Sequence, residues 1–153
     1  MKERLLLLFL VMLLAACAPV PTEPYIRVRD AWALPSDMSD VCAGEAPAGN
    51  TTVVFMSLSN GGARDDRLVG ARSDVAQRAQ LRRVIRRGNS AMSVPLEGGV
   101  LIPAGAEVSL RPGESCLWLV GLSVPLTPGD RFSLLLEFER SSRKTVQVNV
   151  RTP

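Results

Sequence analysis

Histidine is absent from this chain. That removes the imidazole base on which many nucleophilic and general-base mechanisms depend. Aromatic residues make up only 5% of the sequence, so any core must be built mainly from Val, Leu and Ala. Charge is scarce in excess of either sign: the formal net charge is +3, too small to argue for a nucleic-acid partner. No internal repeat or low-complexity tract interrupts the 153 residues, which leave room for one domain. No catalytic pattern stands out either. The Ser and Asp residues lack any flanking constellation, and Asp65-Asp66, Glu137 and Glu139 read as turn and strand-surface charges. Gly98-Gly99 reads as a β-turn and not a phosphate loop, because no helix follows it. The chain is therefore expected not to be an enzyme.

What is present begins at the N-terminus. Lys2 and Arg4 precede an uninterrupted apolar run from Leu5 to Leu14, which is too short to span a bilayer as a helix. Leu14-Ala15-Ala16-Cys17 follows, and this arrangement resembles the signal peptide and lipobox of bacterial lipoproteins. The resemblance implies cleavage after residue 16 and acylation of Cys17, giving a protein tethered to a membrane by several acyl chains acting together. Ala18 stands where an Asp would resemble an inner-membrane retention signal, so the outer membrane, facing the periplasm, is the expected address. The expected organisation is signal peptide 1–16, acylated tether 17–24 stiffened by Pro19, Pro21 and Pro24, and one domain over 25–153. Residues 1–16 hold two basic and one acidic residue; without them the chain carries 16 basic and 14 acidic residues, close to neutral. Cys42 and Cys116 then remain, an even pair in an oxidising compartment.

From Tyr25 onward, short β-type runs alternate with turn signals, and no long stretch carries helical periodicity. Strands are expected over Tyr25–Ala33, Thr51–Ser59, Arg67–Arg72, Ala79–Arg86, Met92–Leu96, Val100–Ile102, Glu107–Leu110, Cys116–Leu122, Phe132–Phe138 and Thr145–Val150. Ser73–Gln80 is expected to hold no more than a helical turn. Cys116–Leu122 is the most hydrophobic run and reads as a central strand. Pro35–Asn50 lacks a strand pattern and reads as a long surface loop, which Cys42 could tie down. The class is all-β, a sandwich or Greek-key barrel.

Several passages together resemble the PCuAC family of periplasmic copper chaperones: Asp30-Ala31-Trp32-Ala33, Asp65-Asp66-Arg67-Leu68-Val69-Gly70-Ala71, Pro95-Leu96-Glu97-Gly98-Gly99, Ile102-Pro103-Ala104-Gly105, Leu110-Arg111-Pro112-Gly113 and Leu119-Val120-Gly121-Leu122. The likeness runs from about Ile26 to Val150. It implies a cupredoxin-like β-sandwich or barrel that hands Cu(I) to an oxidase copper centre, with an envelope or oxidase-assembly protein as partner. The family's ligands are two His and two Met, soft donors suited to Cu(I). Carried onto this sequence, the first His position falls on Arg82, the first Met position on Ser93 beside Met92, and the His-x-Met pair on Cys116 and Trp118.

Three readings of that loss are open. Copper(I) could be held by Cys116 and Met92, although Arg82 cannot ligate and a residue next to Ser93 in a strand points to the opposite face. Alternatively Cys42 and Cys116 form a disulfide, worth on the order of 4 kcal/mol by the chain-entropy model, with Trp118 as an apolar plug. The two exclude each other at Cys116, since an oxidised sulfur is no thiolate. The third concerns Arg78, Arg82, Arg83, Arg86 and Arg87, either a solvated edge strand or a docking surface for an acidic partner or lipid phosphate. Leu81 and Ile85 are expected to point inward between them, and Trp32 and Trp118 to pack in the core. The domain is expected to be a monomer.

Overall fold

The structure, a computed structural model, describes residues 19–38, 42 and 50–153. The segment 1–16, expected to be a signal peptide, and Cys17 lie outside the described residues. The described chain forms β1 (Ile26–Ala33), β2 (Thr51–Asn60), β3 (Asp66–Ser73), β4 (Ala76–Arg87), β5 (Ser90–Pro95), β6 (Val100–Ile102), β7 (Glu107–Leu110), β8 (Ser115–Leu122), β9 (Arg131–Phe138) and β10 (Lys144–Val150), with no α-helix among the described residues. The hydrogen-bonded order is β5-β4-β8-β2-β1-β10-β9-β3-β6, with β7 also on β2. All pairs are antiparallel except β1 with β10, which run parallel at Trp32–Asn149 and Ala33–Val150. The strands fold over one another as a β-sandwich. The main core, between the layers, takes Val54, Met56, Leu58, Leu68, Leu117, Leu119, Leu134, Leu136 and Val148.

Alternation along β2 and β8 explains a second core. Val54 and Met56 of β2, and Leu117 and Leu119 of β8, face the sandwich interior. Their neighbours Val53, Phe55, Cys116 and Trp118 face outward, as a period of two requires. These outward residues are nevertheless buried, because Leu34 and Cys42 pack over them, with Trp32, Met38 and Val84 at the margin. Both faces of β2 and β8 are thus covered, which is why each reads as a near-continuous apolar run. Leu34, Val53 and Phe55 are each almost fully buried, and such side chains contribute roughly 1.5–3 kcal/mol apiece relative to exposure.

Three expectations need correction. Ser73–Gln80 holds no helical turn: Asp74 and Val75 make a tight turn and β4 starts at Ala76, drawn into pairing with β8 at Ala76–Leu122 and Arg78–Val120. The surface loop expected over Pro35–Asn50 is not on the surface at Pro35, Ser36 and Cys42, which are buried, Cys42 in the cluster on the outward face of β2 and β8. Asp66 is not a surface charge. It is 1% exposed and accepts hydrogen bonds from the backbone N–H groups of Arg67, Arg140 and Ser141 at 2.7, 2.9 and 3.0 Å. Burial alone would raise its pKa; the Ser141 side chain and those three N–H groups outweigh it and hold the carboxyl below its ordinary value.

Candidate functional site

The outward face of β5, β4 and β8 gathers the four positions onto which the copper ligands of the resemblance fall. Arg82 of β4 is the direct cross-strand partner of Cys116, and Gln80 that of Trp118. On the other side Val84 faces Ser93 and Arg82 faces Pro95. Register therefore places Arg82, Ser93, Cys116 and Trp118 on one surface. Their side chains interlock. Arg82 Nε donates to Ser93 Oγ at 2.9 Å, Nη2 to the Ser93 carbonyl at 2.7 Å, and Nη1 to Gln80 Oε1 at 2.9 Å. The guanidinium lies 4.4 Å above the Trp118 ring, within cation–π range. Partial burial lowers the pKa of Arg82, yet a guanidinium remains a cation at any physiological pH.

Beneath this layer Cys116, fully buried, is joined to Cys42 by a disulfide with Cα atoms 6.4 Å apart. The segment carrying Cys42 is led into place by the backbone: Leu34 N–H donates to Val53 O at 3.1 Å and Ser36 N–H to Leu126 O at 3.0 Å. Thr52 Oγ1 donates to the Leu34 carbonyl in the buried layer. A bulge in β1 aims the neighbouring ring. Asp30 and Ala31 together oppose the single residue between Ser57 and Phe55, and Asp30 takes φ 48°. Trp32 is thereby set against Phe55, ring centroids 4.9 Å apart, with the Arg151 guanidinium 4.7 Å above it.

The other sequence candidates separate from this cluster. Met92 pairs with Ile85, is 54% exposed, and as the neighbour of Ser93 points to the opposite face. The structure does not bring it to Cys116. Of the arginines, Arg78 and Arg86 share the face of Arg82, whereas Arg83 and Arg87 lie on the other. Leu81 between them is buried, but Ile85 is only half-buried, because β4 has by then run past the core. β4 is paired with β8 as far as Arg83, and beyond it only with β5, so Arg86 and Arg87 stand where the β8 side of the strand is open. What the sequence reading missed is the packing of Leu34, Val53 and Phe55 over Cys116. The signal was the unbroken apolar run of two strands at once.

A soft cation does not fit the residues at these positions. The sulfur of Cys116 is spent in the disulfide, a guanidinium offers no lone pair, and Ser93 supplies only a hard hydroxyl that already accepts from Arg82. Among the described residues no group of three or more His, Cys, Asp or Glu is placed to hold a metal. Arg82 further sets a positive charge over the site.

Known proteins share the scaffold. The solved "Apo PCuAC domain from PmoF1" superposes with a TM-score of 0.65 at 19% identity, covering 85% of this chain and 99% of that one. The "Copper-bound PCuAC domain from PmoF2" gives 0.61 at 22% identity, over 85% and 98%. The Cu(I) form of DR1885 from Deinococcus radiodurans gives 0.58 at 21% identity, over 90% and 81%. At such identities the likeness is one of fold. In sequence, the "Putative lipoprotein Lxx21020" of Leifsonia xyli subsp. xyli is 32% identical over 107 residues, which are 70% of this chain and 64% of that relative's length. The family described as "Putative lipoprotein LpqE-like" matches residues 26–150, the whole strand-bearing region. This chain belongs to the LpqE-like lipoprotein family, on a fold it shares with PCuAC domains.

Proposed function

We propose that this protein is a metal-free binding module of the cell envelope, tethered through Cys17 and built on a copper-chaperone scaffold whose ligand positions have been closed. The observation that carries the reading is the Cys42–Cys116 disulfide lying under Arg82, with Arg82 bonded to Ser93 and stacked on Trp118. Arg82, Ser93 and Trp118 engage one another, and Cys116 is engaged by Cys42. Such a cluster rigidifies the surface of β5, β4 and β8 without a cation, and a rigid β surface on a tether suits docking to another envelope component.

Copper handling is the second reading. The fold match to a domain solved with copper bound favours it, and Cys116, if released from Cys42, would offer a soft thiolate. The two are told apart by presenting Cu(I) to the purified chain against a competing chelator, once as isolated under oxidising conditions and once after reduction. The metal-free reading expects no retained copper in either state. About one equivalent kept by the reduced chain would establish copper handling in its place.

A further inference from the structure

The hairpin of β4 and β5 carries a surface that the closed site does not use. Between Val75 and Leu96 the chain has five arginines, Arg78, Arg82, Arg83, Arg86 and Arg87, and no carboxylate. Of the ten other arginines among the described residues, six (Arg64, Arg67, Arg72, Arg111, Arg143 and Arg151) each lie within 3.7 Å of an Asp or Glu oxygen. Among the described residues none of the five hairpin arginines does. Where the hairpin outruns the core, Arg83 faces Val94, Ile85 faces Met92, and Arg87 faces Ser90 across the two strands. One side of the ribbon therefore sets Ile85, Met92 and Val94 between two cations, and Met92 is 54% exposed.

The direction of this ribbon follows from register. Leu117 of β8 pairs with Leu81 of β4 on one side and with Val54 of β2 on the other. Both strands run antiparallel to β8. Arg87 and Asn60 each lie six residues further on, about 20 Å along their strands, towards the same end of the sandwich. That end is also where the chain enters: Ile26 pairs with Asn60, and the Ala63 N–H donates to the Pro21 carbonyl at 2.9 Å. Only four residue steps separate Cys17 from Pro21, a reach of at most about 14 Å.

We infer that the tip of the β4–β5 hairpin seats on the anionic phospholipid surface of the membrane that holds the tether, with Arg83 and Arg87 on lipid phosphates beside Met92 and Ile85, which enter the headgroup layer, and with Arg86 adding charge from the opposite face of the ribbon. The inference deepens the binding-module reading by naming what the module's free end meets. Guanidinium groups match phosphate geometry, and each basic residue near an anionic surface is worth about a five-fold gain in partition. The apolar residues between them add contact that a purely electrostatic patch lacks.

The test uses the chain from Pro19 to Pro153, which retains every strand of the described residues but lacks Cys17, so binding cannot come from acylation. It is sedimented with vesicles of phosphatidylglycerol and phosphatidylcholine, and with vesicles of phosphatidylcholine alone. The expected result is partition to the anionic vesicles only, falling at least ten-fold in R83E/R86E/R87E and lost as salt shortens the Debye length from about 10 Å to about 3 Å. Near-UV circular dichroism shows whether the triple variant keeps the fold, and the salt series decides the matter in the wild type if it does not. Equal retention by both vesicle types, indifference to salt, or undiminished binding by a folded triple variant overturns the inference. Absence of partition to the anionic vesicles overturns the inference and leaves the patch to an acidic protein. Copper retention is read separately, so either proposal can fail while the other stands.

Discussion

Removing the bond between Cys42 and Cys116 is the perturbation with the largest calculable effect. The two residues are 74 positions apart in sequence. Opening a loop of that size restores chain entropy to the unfolded state worth about 4.5 kcal/mol at 25 °C by the chain-entropy model. For a domain spanning residues 26–150, the unfolding entropy near about 60 °C is roughly 0.26 kcal/mol/K, so the midpoint should drop by about 15–17 °C. The assay is differential scanning calorimetry of the untethered chain with and without a thiol reductant, beside the variant C42A/C116A. Wild type under reductant and the variant without it should both melt far below oxidised wild type. The variant should ignore the reductant. Loss of the two sulfurs from a buried layer adds a cavity term in the same direction. A reduced wild type melting within about 2 °C of the oxidised one would refute the reasoning, because an entropy term of this size cannot hide in calorimetry.

Three further outcomes follow from single residues. Arg82→Ala should cost about 1–2 kcal/mol in urea unfolding, since Ser93 loses a partner and Trp118 its cation, and the Trp118 fluorescence should shift to the red; Arg82→Lys should recover little, because an ammonium cannot bond Ser93 twice in one plane. Asp66 has a folded pKa below its unfolded value, so its stabilisation is complete above an unfolded pKa of about 3.9 and is lost as pH falls through the folded one. Wild type should therefore lose stability progressively under acid, while Asp66→Asn should be less stable by about 2 kcal/mol at neutral pH and should lose less over the acid range, where Asp130 still titrates, read from urea midpoints. Gly99 has φ 75°, and a Cβ there would collide with the Leu68 carbonyl of β3. Gly99→Ala should cost more than about 2 kcal/mol by the same measurement, against little change for Gly88→Ala beyond its own backbone strain, because nothing lies near Gly88.

Much of the strand pattern was legible because it rests on local signals. Phe132–Phe138 and Thr145–Val150 alternate cleanly between core and surface, and their turns carry Pro-Gly or charged residues. The start of β4 was not legible: Ala76-Gln77-Arg78-Ala79-Gln80 are helix formers with no apolar alternation, and only pairing with β8 makes them a strand. Asp66 looked like any turn carboxylate, since the N–H groups it satisfies come from Arg140 and Ser141, far along the chain. The site divides in the same way. The likeness to copper chaperones located Arg82, Ser93, Cys116 and Trp118 one by one, but no sequence feature says that Arg82 bonds Ser93 and covers Trp118. That requires register across three strands, and a bulge such as the one at Asp30-Ala31 leaves no mark that can be read in advance.

The claim on which the rest depends is that Cys116, at a former ligand position, is tied to Cys42 and has no thiolate to give. Alkylation of the protein isolated from its native cells, under denaturing conditions without reductant, followed by mass measurement of the peptides, tests this directly. Neither Cys42 nor Cys116 should be labelled, and a single cross-linked peptide pair should contain both. Full labelling of both residues would contradict the account and return the site to metal chemistry.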